Sequence, residues 1–121
     1  MKIWMPCSPQ QVSAFIATGQ CDITAGFTIT PEWTASVDDD DEEFLEDEML
    51  FQAGDGQLVV IVAELKGEIT DSSAGAVALA EPLTLRSVRA FFAKSDVAEE
   101  EFSWFGPTEG ANLLDFLGIS S

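Results

Sequence analysis

The first quarter of the chain alternates between short apolar segments and turn residues, a pattern that predicts strand, helix and strand. Residues 2–6 alternate around two apolar positions, which favours a short strand. Ser8 is a good helix cap and Pro9 suits the first helical position, while Gly19 is a plausible helix end. Residues 22–30 alternate again between apolar and small polar side chains. We expect them to form a half-buried strand.

The middle of the chain contains its most apolar segment. Residues 58–65 show almost no alternation, as expected of a central strand that is covered on both faces. Residues 66–75 are rich in Gly, Ser, Asp and Thr and are predicted to form a loop. Further strands are predicted at 76–83, 89–94 and 102–105, and a last helix is predicted to begin at Pro107.

Together these elements predict one α+β domain over residues 1–121. The predicted order is β-α-β-α-β-β-β-β-α, with short connections and no internal repeat. We expect a single mixed sheet of about five or six strands, with about two or three helices packed mainly on one face. An α/β fold is the alternative. The length suits one domain with one core.

Charge changes this picture at one place, because nine of the eleven residues 38–48 are acidic. The whole chain has 22 acidic against 5 basic residues and a formal net charge of −17. We expect a helix that begins near Asp40 or Asp41, because acids near a helix N-terminus are stabilising, although like charges four residues apart repel. On such a helix four apolar side chains would share one broad face that packs on the sheet: Phe44, Leu45, Met49 and Phe51.

The charge balance excludes several classes of partner. The five Lys and Arg residues form no basic stripe and cannot neutralise a series of phosphates. We therefore expect no direct binding to nucleic acid and no binding to anionic membrane surfaces. The longest apolar run, residues 58–63, is far shorter than the roughly 20 residues needed to span a bilayer. The opening segment is interrupted by Pro6 and does not read as a signal peptide. The expected location is the cytoplasm.

Few residues suit catalysis or metal binding. The chain has no histidine, which removes the commonest general base and a common metal ligand. Cys7 and Cys21 show no metal spacing and are expected to be reduced thiols, although Cys7 at a strand end could face Cys21 across the first helix. A calcium loop beginning at Asp38 would have Glu43 and Met49 where glycine and glutamate are required. We therefore assign no catalytic, cofactor-binding or metal-binding residue, and favour a non-enzymatic role.

The acidic segment predicts a protein partner with a basic surface. Trp33 lies in a predicted loop beside the acids, and an exposed aromatic side chain rimmed by charge is a common arrangement in binding hot spots. We expect an interaction or regulatory module in which Trp33 is the anchor and the acids govern encounter and orientation. The expected contact residues are Trp33, Asp38, Asp39, Asp40, Asp41, Glu42, Glu43, Glu46 and Asp47.

The composition is also compatible with two alternative roles for the acids. In the first, the protein binds a small molecule or a divalent metal, or is an enzyme, with a pocket between the sheet and the aromatic segment 102–105. In the second, the acids are an adaptation to high salt, which would spread them evenly over the surface. The concentration of acids in residues 38–48 speaks against adaptation to salt.

Several segments together, rather than one signature, carry a family resemblance. They are the Met-Lys-Ile-Trp-Met-Pro opening with the helix ending at Gly19, the strand Thr24 to Pro31, the acidic stretch leading to Leu45-Glu46, Val59 to Ala63, Val77 through Pro82 and Leu85 to Phe92, and Trp104-Phe105 to Glu109. In this combination the chain resembles a family of small acidic actinobacterial proteins known only as a domain of unknown function. The resemblance implies a single cytoplasmic α+β domain and carries over no activity.

Overall fold

A computed structural model describes residues 1–37 and 41–119, and within them one sheet lies between two layers of helices. The strands are β1 (Lys2–Cys7), β2 (Ala25–Phe27), β3 (Val59–Glu64), β4 (Gly67–Asp71), β5 (Ala76–Leu79), β6 (Val88–Ala93) and β7 (Ser103–Phe105). The helices are α1 (Pro9–Thr18), α2 (Pro31–Val37), α3 (Glu42–Ala53) and α4 (Gly110–Phe116), with a short 3-10 turn at Leu85–Ser87.

The sheet has the strand order β4-β5-β2-β1-β3-β6-β7. All neighbouring strands are antiparallel in the part of the chain that the structure describes. The predicted α+β class is therefore confirmed. The sheet differs from the expectation in having seven strands and in being antiparallel rather than mixed. The reason is that β2 and β3, which run in the same direction and are joined through α2 and α3, have β1 between them and do not pair with each other.

The central position of β3 follows from its composition. The five residues from Val59 to Ala63 are all buried, and the strand pairs with β1 on one side and β6 on the other. Its alternate side chains enter two separate apolar clusters, with Ile61 in one and Val62 in the other. This confirms the prediction of a central strand that is covered on both faces.

Each face of the sheet is covered by its own pair of helices. On one face, Phe15 of α1 and Leu113 of α4 are fully buried against β3 residues such as Ile61. On the other face, Trp33 of α2 and Met49 of α3 pack on even-numbered strand residues. The expectation that helices would pack mainly on one face is wrong, because an apolar central strand needs cover on both sides.

Two helix starts occur where the sequence predicts them. The Ser8 side chain accepts a hydrogen bond from the Gln11 backbone N–H at 3.1 Å, and the Gln11 side chain accepts one from the Ser8 N–H at 2.8 Å. Gly19 ends α1 in the left-handed region, with a φ of 74°. At α3 the Asp41 side chain accepts from the Glu43 N–H at 3.2 Å, so the helix begins beside Asp41 as expected.

The segment Pro31–Val37, predicted to be a connection, is the helix α2. The Thr30 hydroxyl accepts a hydrogen bond from the Trp33 backbone N–H at 3.0 Å, and the Thr30 carbonyl accepts one from the Thr34 N–H at 2.9 Å. Thr30 and Pro31 thus repeat the cap and first-turn proline of Ser8 and Pro9. The same local signal was present in both places.

A second difference is the hairpin β4–β5, most of which falls in a segment predicted to be a loop. The Asp71 carboxylate accepts hydrogen bonds from the Ser73 hydroxyl at 2.8 Å and from the Ser73 N–H at 3.1 Å. The hydrogen bond from the Ser73 hydroxyl is the main cause that lowers the pKa of Asp71, and those from the Ala74 and Ser73 backbone N–H groups act in the same direction. Gly75 completes the turn with a φ of 73°. As an edge strand, β4 exposes Glu68 to Asp71 to solvent and therefore lacks the apolar alternation that marks an inner strand.

Candidate functional site

The acidic helix α3 lies across one face of the sheet and turns most of its carboxylates to solvent. Its buried stripe consists of Leu45, Met49 and Ala53, which are four residues apart and pack on β1 and β3. Four of its acidic residues are exposed, namely Glu42, Glu43, Asp47 and Glu48, while Glu46 is half-buried. The predicted contact residues Asp38, Asp39 and Asp40 lie outside the described residues.

Two large aromatic side chains on α3 point away from the sheet. Phe44 is 40% exposed and Phe51 is 62% exposed, whereas both were expected on the packed face. The apolar residues of this segment span more than half of the helix circumference, so a single sheet cannot cover all of them. Phe44 and Phe51 are seven residues apart and therefore lie on the same side of α3, with Glu48 between them.

The acids of α3 receive little neutralisation from the protein's own cations. Glu46 forms an ion pair with Lys2, whose ammonium group also lies 5.4 Å from the centre of the Trp4 ring. Across residues 1–37 and 41–119, no Lys or Arg forms an ion pair with the four exposed carboxylates of this helix: Glu42, Glu43, Asp47 and Glu48. Their negative charge therefore faces solvent.

Trp33 is buried, so the prediction that it is an exposed anchor is wrong. It is 4% exposed, and its indole Nε1 donates a hydrogen bond of 2.8 Å to the Gln52 side-chain oxygen. The Gln52 amide nitrogen in turn donates to the Ala74 carbonyl at 2.8 Å. The reason is that residues 31–37 form a helix whose one large apolar side chain turns inward. Trp33 thereby joins α2, α3 and the β4–β5 turn.

A groove of about 500 Å³ separates α3 from strands β6 and β7, and we call it the Trp104 groove. The helix side of the groove is lined by Glu43, Glu46, Asp47 and Leu50. The strand side is lined by Val62, Arg89, Ala90, Phe92 and Trp104, with Lys2 and Trp4 of β1 beneath α3. Three of the predicted acids thus line one groove with two cations that the sequence did not single out and with Trp104 of the aromatic segment where a pocket is predicted.

Two features of the strand pairing place Arg89 and Trp104 in the strand wall of the Trp104 groove. In the pairing of β3 with β6, Val62 lies opposite Ala90 and Ala63 lies opposite Val88, so Arg89 is the extra residue of a β-bulge. Such a bulge redirects a side chain. Trp104 lies opposite Phe92 on the neighbouring strand, so both side chains are on the same face of the sheet.

A second groove of about 450 Å³ runs along the opposite side of α3, and we call it the Ile69 groove. Its lining includes the segment 28–31, Glu42, Leu45 and the exposed Ile69 of edge strand β4. Lys2, Trp4 and Glu46 line both grooves. The acidic helix is therefore a ridge between two partly apolar grooves.

The two thiols are in different surroundings from the acidic helix. Burial raises the pKa of Cys7 from its ordinary value of 9.0 to about 12, and the nearby Cys21 contributes in the same direction. Burial also raises the pKa of the half-buried Cys21. Both are free cysteines. In the described part of the chain, no three Cys, Asp or Glu side chains come together as a set that could hold a metal ion.

The comparisons with known proteins give one match. No curated protein and no solved structure matches the chain. Among the described residues, no helix is long and apolar enough to cross a membrane. The sequence profile of a family of unknown function, DUF6912, matches residues 1–104, which run from β1 to the second residue of β7. Because this match spans most of the 121 residues and confirms the predicted classification, the chain belongs to the family of unknown function DUF6912.

Proposed function

We propose that this protein is a non-enzymatic interaction module of the cytoplasm that binds a basic protein surface through α3. One observation carries the proposal. The exposed side of α3 combines four carboxylates that have no Lys or Arg partner among the described residues with two aromatic side chains exposed to solvent, Phe44 and Phe51. Two free cysteines suit a reducing compartment.

The two kinds of side chain would contribute differently to binding. Clustered carboxylates attract a basic surface over distances of about 10 Å at moderate salt, and they raise the association rate and orient the partner. Exposed aromatic side chains supply the apolar area that slows dissociation. Phe44 and Phe51 are about 10 Å apart along the helix axis, a spacing that one partner surface can cover. They replace the buried Trp33 as anchors.

The acids can be tested with two variants of equal charge. One carries Glu42→Gln, Glu43→Gln, Asp47→Asn and Glu48→Gln on α3. Its control carries four substitutions at exposed acids elsewhere, namely Glu32→Gln, Glu68→Gln, Glu100→Gln and Glu101→Gln. Immobilised proteins would be incubated with lysate of the source cells at about 50 mM and about 500 mM salt, and the retained proteins identified.

We expect the natural chain and the control to retain the same basic protein at low salt, and the α3 variant to lose it. Retention should fall at high salt, because exposed charge pairs are screened. A partner that binds equally well at both salt concentrations, or that the α3 variant still retains, would contradict the proposal.

The aromatic anchors need a separate test. Phe44→Ser and Phe51→Ser should weaken binding of the captured partner at every salt concentration, because the lost contact is apolar. Val97→Ser is the control, since Val97 is also 54% exposed but lies in the connection between β6 and β7. Unchanged affinity in both phenylalanine variants would show that the acids act without these anchors.

A second candidate function is the binding of a small molecule in the Trp104 groove. The groove lies beside the aromatic segment where a pocket is predicted, and three carboxylates line it. However, its described lining contains no Ser, Thr or Cys and therefore offers no hydroxyl or thiol nucleophile. We therefore state this candidate function as reversible binding, without a covalent intermediate on a hydroxyl or thiol. Thermal unfolding of the purified protein with a library of small cations and metabolites tests it.

A further inference from the structure

We infer that the Trp104 groove seats an arginine side chain of the partner, with its guanidinium group between the Trp104 indole on one wall and Glu43 and Asp47 on the other. This inference rests on the proposed function and names the chemical group that the site would recognise. It makes the groove, rather than the acidic helix as a whole, the determinant of specificity.

The helix wall supplies the negative charge. Glu43 and Asp47 are four residues apart on α3, and both line the groove, followed by Leu50 one turn later. Both carboxylates are exposed, and neither has an ion-pair partner among the residues that the structure describes. A guanidinium group can donate two parallel hydrogen bonds to a carboxylate, which gives the contact a defined geometry.

The strand wall supplies a flat aromatic surface. Trp104 is 61% exposed, whereas the other two tryptophans, Trp4 and Trp33, are 3% and 4% exposed. Tryptophan has the most favourable ring for a cation, and the planar guanidinium group also stacks on it. Lysine carries the same charge without the planar surface. The groove should therefore prefer arginine.

The floor of the groove suits the rest of an arginine side chain. Val62, Ala90 and Phe92 line the strand side and offer apolar contact to its methylene groups. Lys2 is paired with Glu46, so its charge is largely compensated. Arg89 remains as an opposing cation, and the lining as a whole has three carboxylates against two cations. The groove is thus negative, and Arg89 limits how tightly it holds a cation.

The probe for this inference is a capped hexaarginine peptide, compared with capped hexalysine. Peptide affinities would be measured by fluorescence anisotropy of a labelled peptide at about 50 mM salt. Acrylamide quenching of tryptophan fluorescence reports separately on Trp104, because it is the strongly exposed tryptophan of the three. We expect hexaarginine to bind more tightly than hexalysine and to reduce the quenching.

Five variants assign the contact. Trp104→Leu should weaken hexaarginine binding by about threefold to tenfold, and Trp104→Phe by less, because the smaller ring keeps part of the stacking. Glu43→Gln with Asp47→Asn should weaken binding more than the matched pair Glu42→Gln with Glu48→Gln, whose side chains do not line this groove. Arg89→Gln should tighten binding, because it removes the opposing cation. Circular dichroism and thermal melts establish that each variant is folded.

The outcomes separate this inference from the proposed function. Affinity for hexaarginine that is unchanged in Trp104→Leu, or weakened in Arg89→Gln, would overturn the arginine seat. If the Glu42 and Glu48 pair then matters as much as the Glu43 and Asp47 pair, the proposed docking role stands and the inference about the groove fails. If neither pair affects the captured partner, both fail.

Discussion

The indole N–H of Trp33 donates a hydrogen bond to the side-chain oxygen of Gln52, 19 residues later in the sequence, at 2.8 Å. This bond joins α2 to the last turn of α3, and the Gln52 amide extends it to the Ala74 carbonyl of the β4–β5 turn. Because Trp33 is nearly fully buried, the bond keeps a polar group satisfied within an apolar cluster.

We predict that Gln52→Leu lowers the free energy of unfolding by about 1–3 kcal/mol, because the buried Trp33 N–H loses its acceptor. Gln52→Glu separates the two bonds of this side chain, since its carboxylate keeps an acceptor for the Trp33 N–H but cannot donate to the Ala74 carbonyl. Urea unfolding followed by tryptophan fluorescence measures both. Partner affinity should not change in the folded proteins, and a Gln52→Leu variant as stable as the natural chain would contradict the role assigned to this bond.

Gly75 provides a second prediction, because two constraints coincide there. Its φ is +73°, and an added Cβ atom would lie 2.4 Å from the Thr28 carbonyl oxygen. We expect Gly75→Ala to destabilise the fold by about 3 kcal/mol or more. Gly56→Ala separates the two effects, because Gly56 also has a positive φ of +71° but nothing within 4 Å of the added atom. It should cost about 1–2 kcal/mol, and equal losses would show that the contact with Thr28 is unimportant.

The raised pKa of Cys7 predicts that the folded protein loses stability at alkaline pH. Its pKa is raised from 9.0 to about 12 in the folded protein, so the thiol of the unfolded chain ionises first. The neutral Cys7 thiol makes its full contribution to the free energy of unfolding below pH 9. That contribution falls by as much as about 4 kcal/mol as the pH rises towards 12. Urea unfolding at pH 8 and at several higher values should show a steeper decline for the natural chain than for Cys7→Ala. Parallel declines would contradict the prediction.

Thiol reactivity gives an independent measurement of the difference in burial between Cys7 and Cys21. Cys7 is buried and Cys21 is half-buried, so a thiol reagent at pH 8 should modify Cys21 first and Cys7 only as the protein unfolds. Cys21→Ser should remove the faster phase. Two equally fast phases in the natural chain would show that Cys7 is accessible.

Four exposed acids of α3 have no ion-pair partner among the described residues, which predicts that the helix is more stable when a local repulsion is removed. Asp47→Lys replaces the repulsion between Asp47 and Glu43 with an attraction between residues four apart, which should stabilise the fold by about 0.5–1 kcal/mol at low salt. Glu68→Lys makes the same change of charge on β4 and is the control. The difference should shrink in about 1 M salt. The same Asp47→Lys change should weaken binding of a basic partner.

The elements predicted correctly are those with short-range signals. The cap at Ser8 and the glycine at the end of α1 depend only on neighbouring residues. The strand β3 is marked by a continuous apolar run, because it is buried on both faces. The helix α2 carried the same Thr-Pro cap signal but had too few apolar residues for a periodic pattern. Edge strand β4 is polar because it is exposed to solvent, so its composition resembles that of a loop.

The composition of the site depended on contacts that sequence patterns do not contain. The sequence shows where the acidic residues are concentrated. Which of them forms an ion pair depends on the position of Lys2 in strand β1, which packs beneath α3. Arg89 enters the groove through a bulge in the pairing of β3 with β6, and Trp104 through its register with Phe92. Those registers depend on which face of each strand is buried and on the geometry of the connecting turns.

The strand order has a consequence for how the polypeptide is made. β1 lies in the middle of the sheet, and its longest ladder joins Lys2–Cys7 to Val59–Glu64. During synthesis the apolar segment beginning at Ile3 must therefore wait for more than fifty further residues before its principal neighbour emerges from the ribosome. The carboxylates of residues 41–48 emerge within that interval, and their mutual repulsion between nascent chains would disfavour premature aggregation.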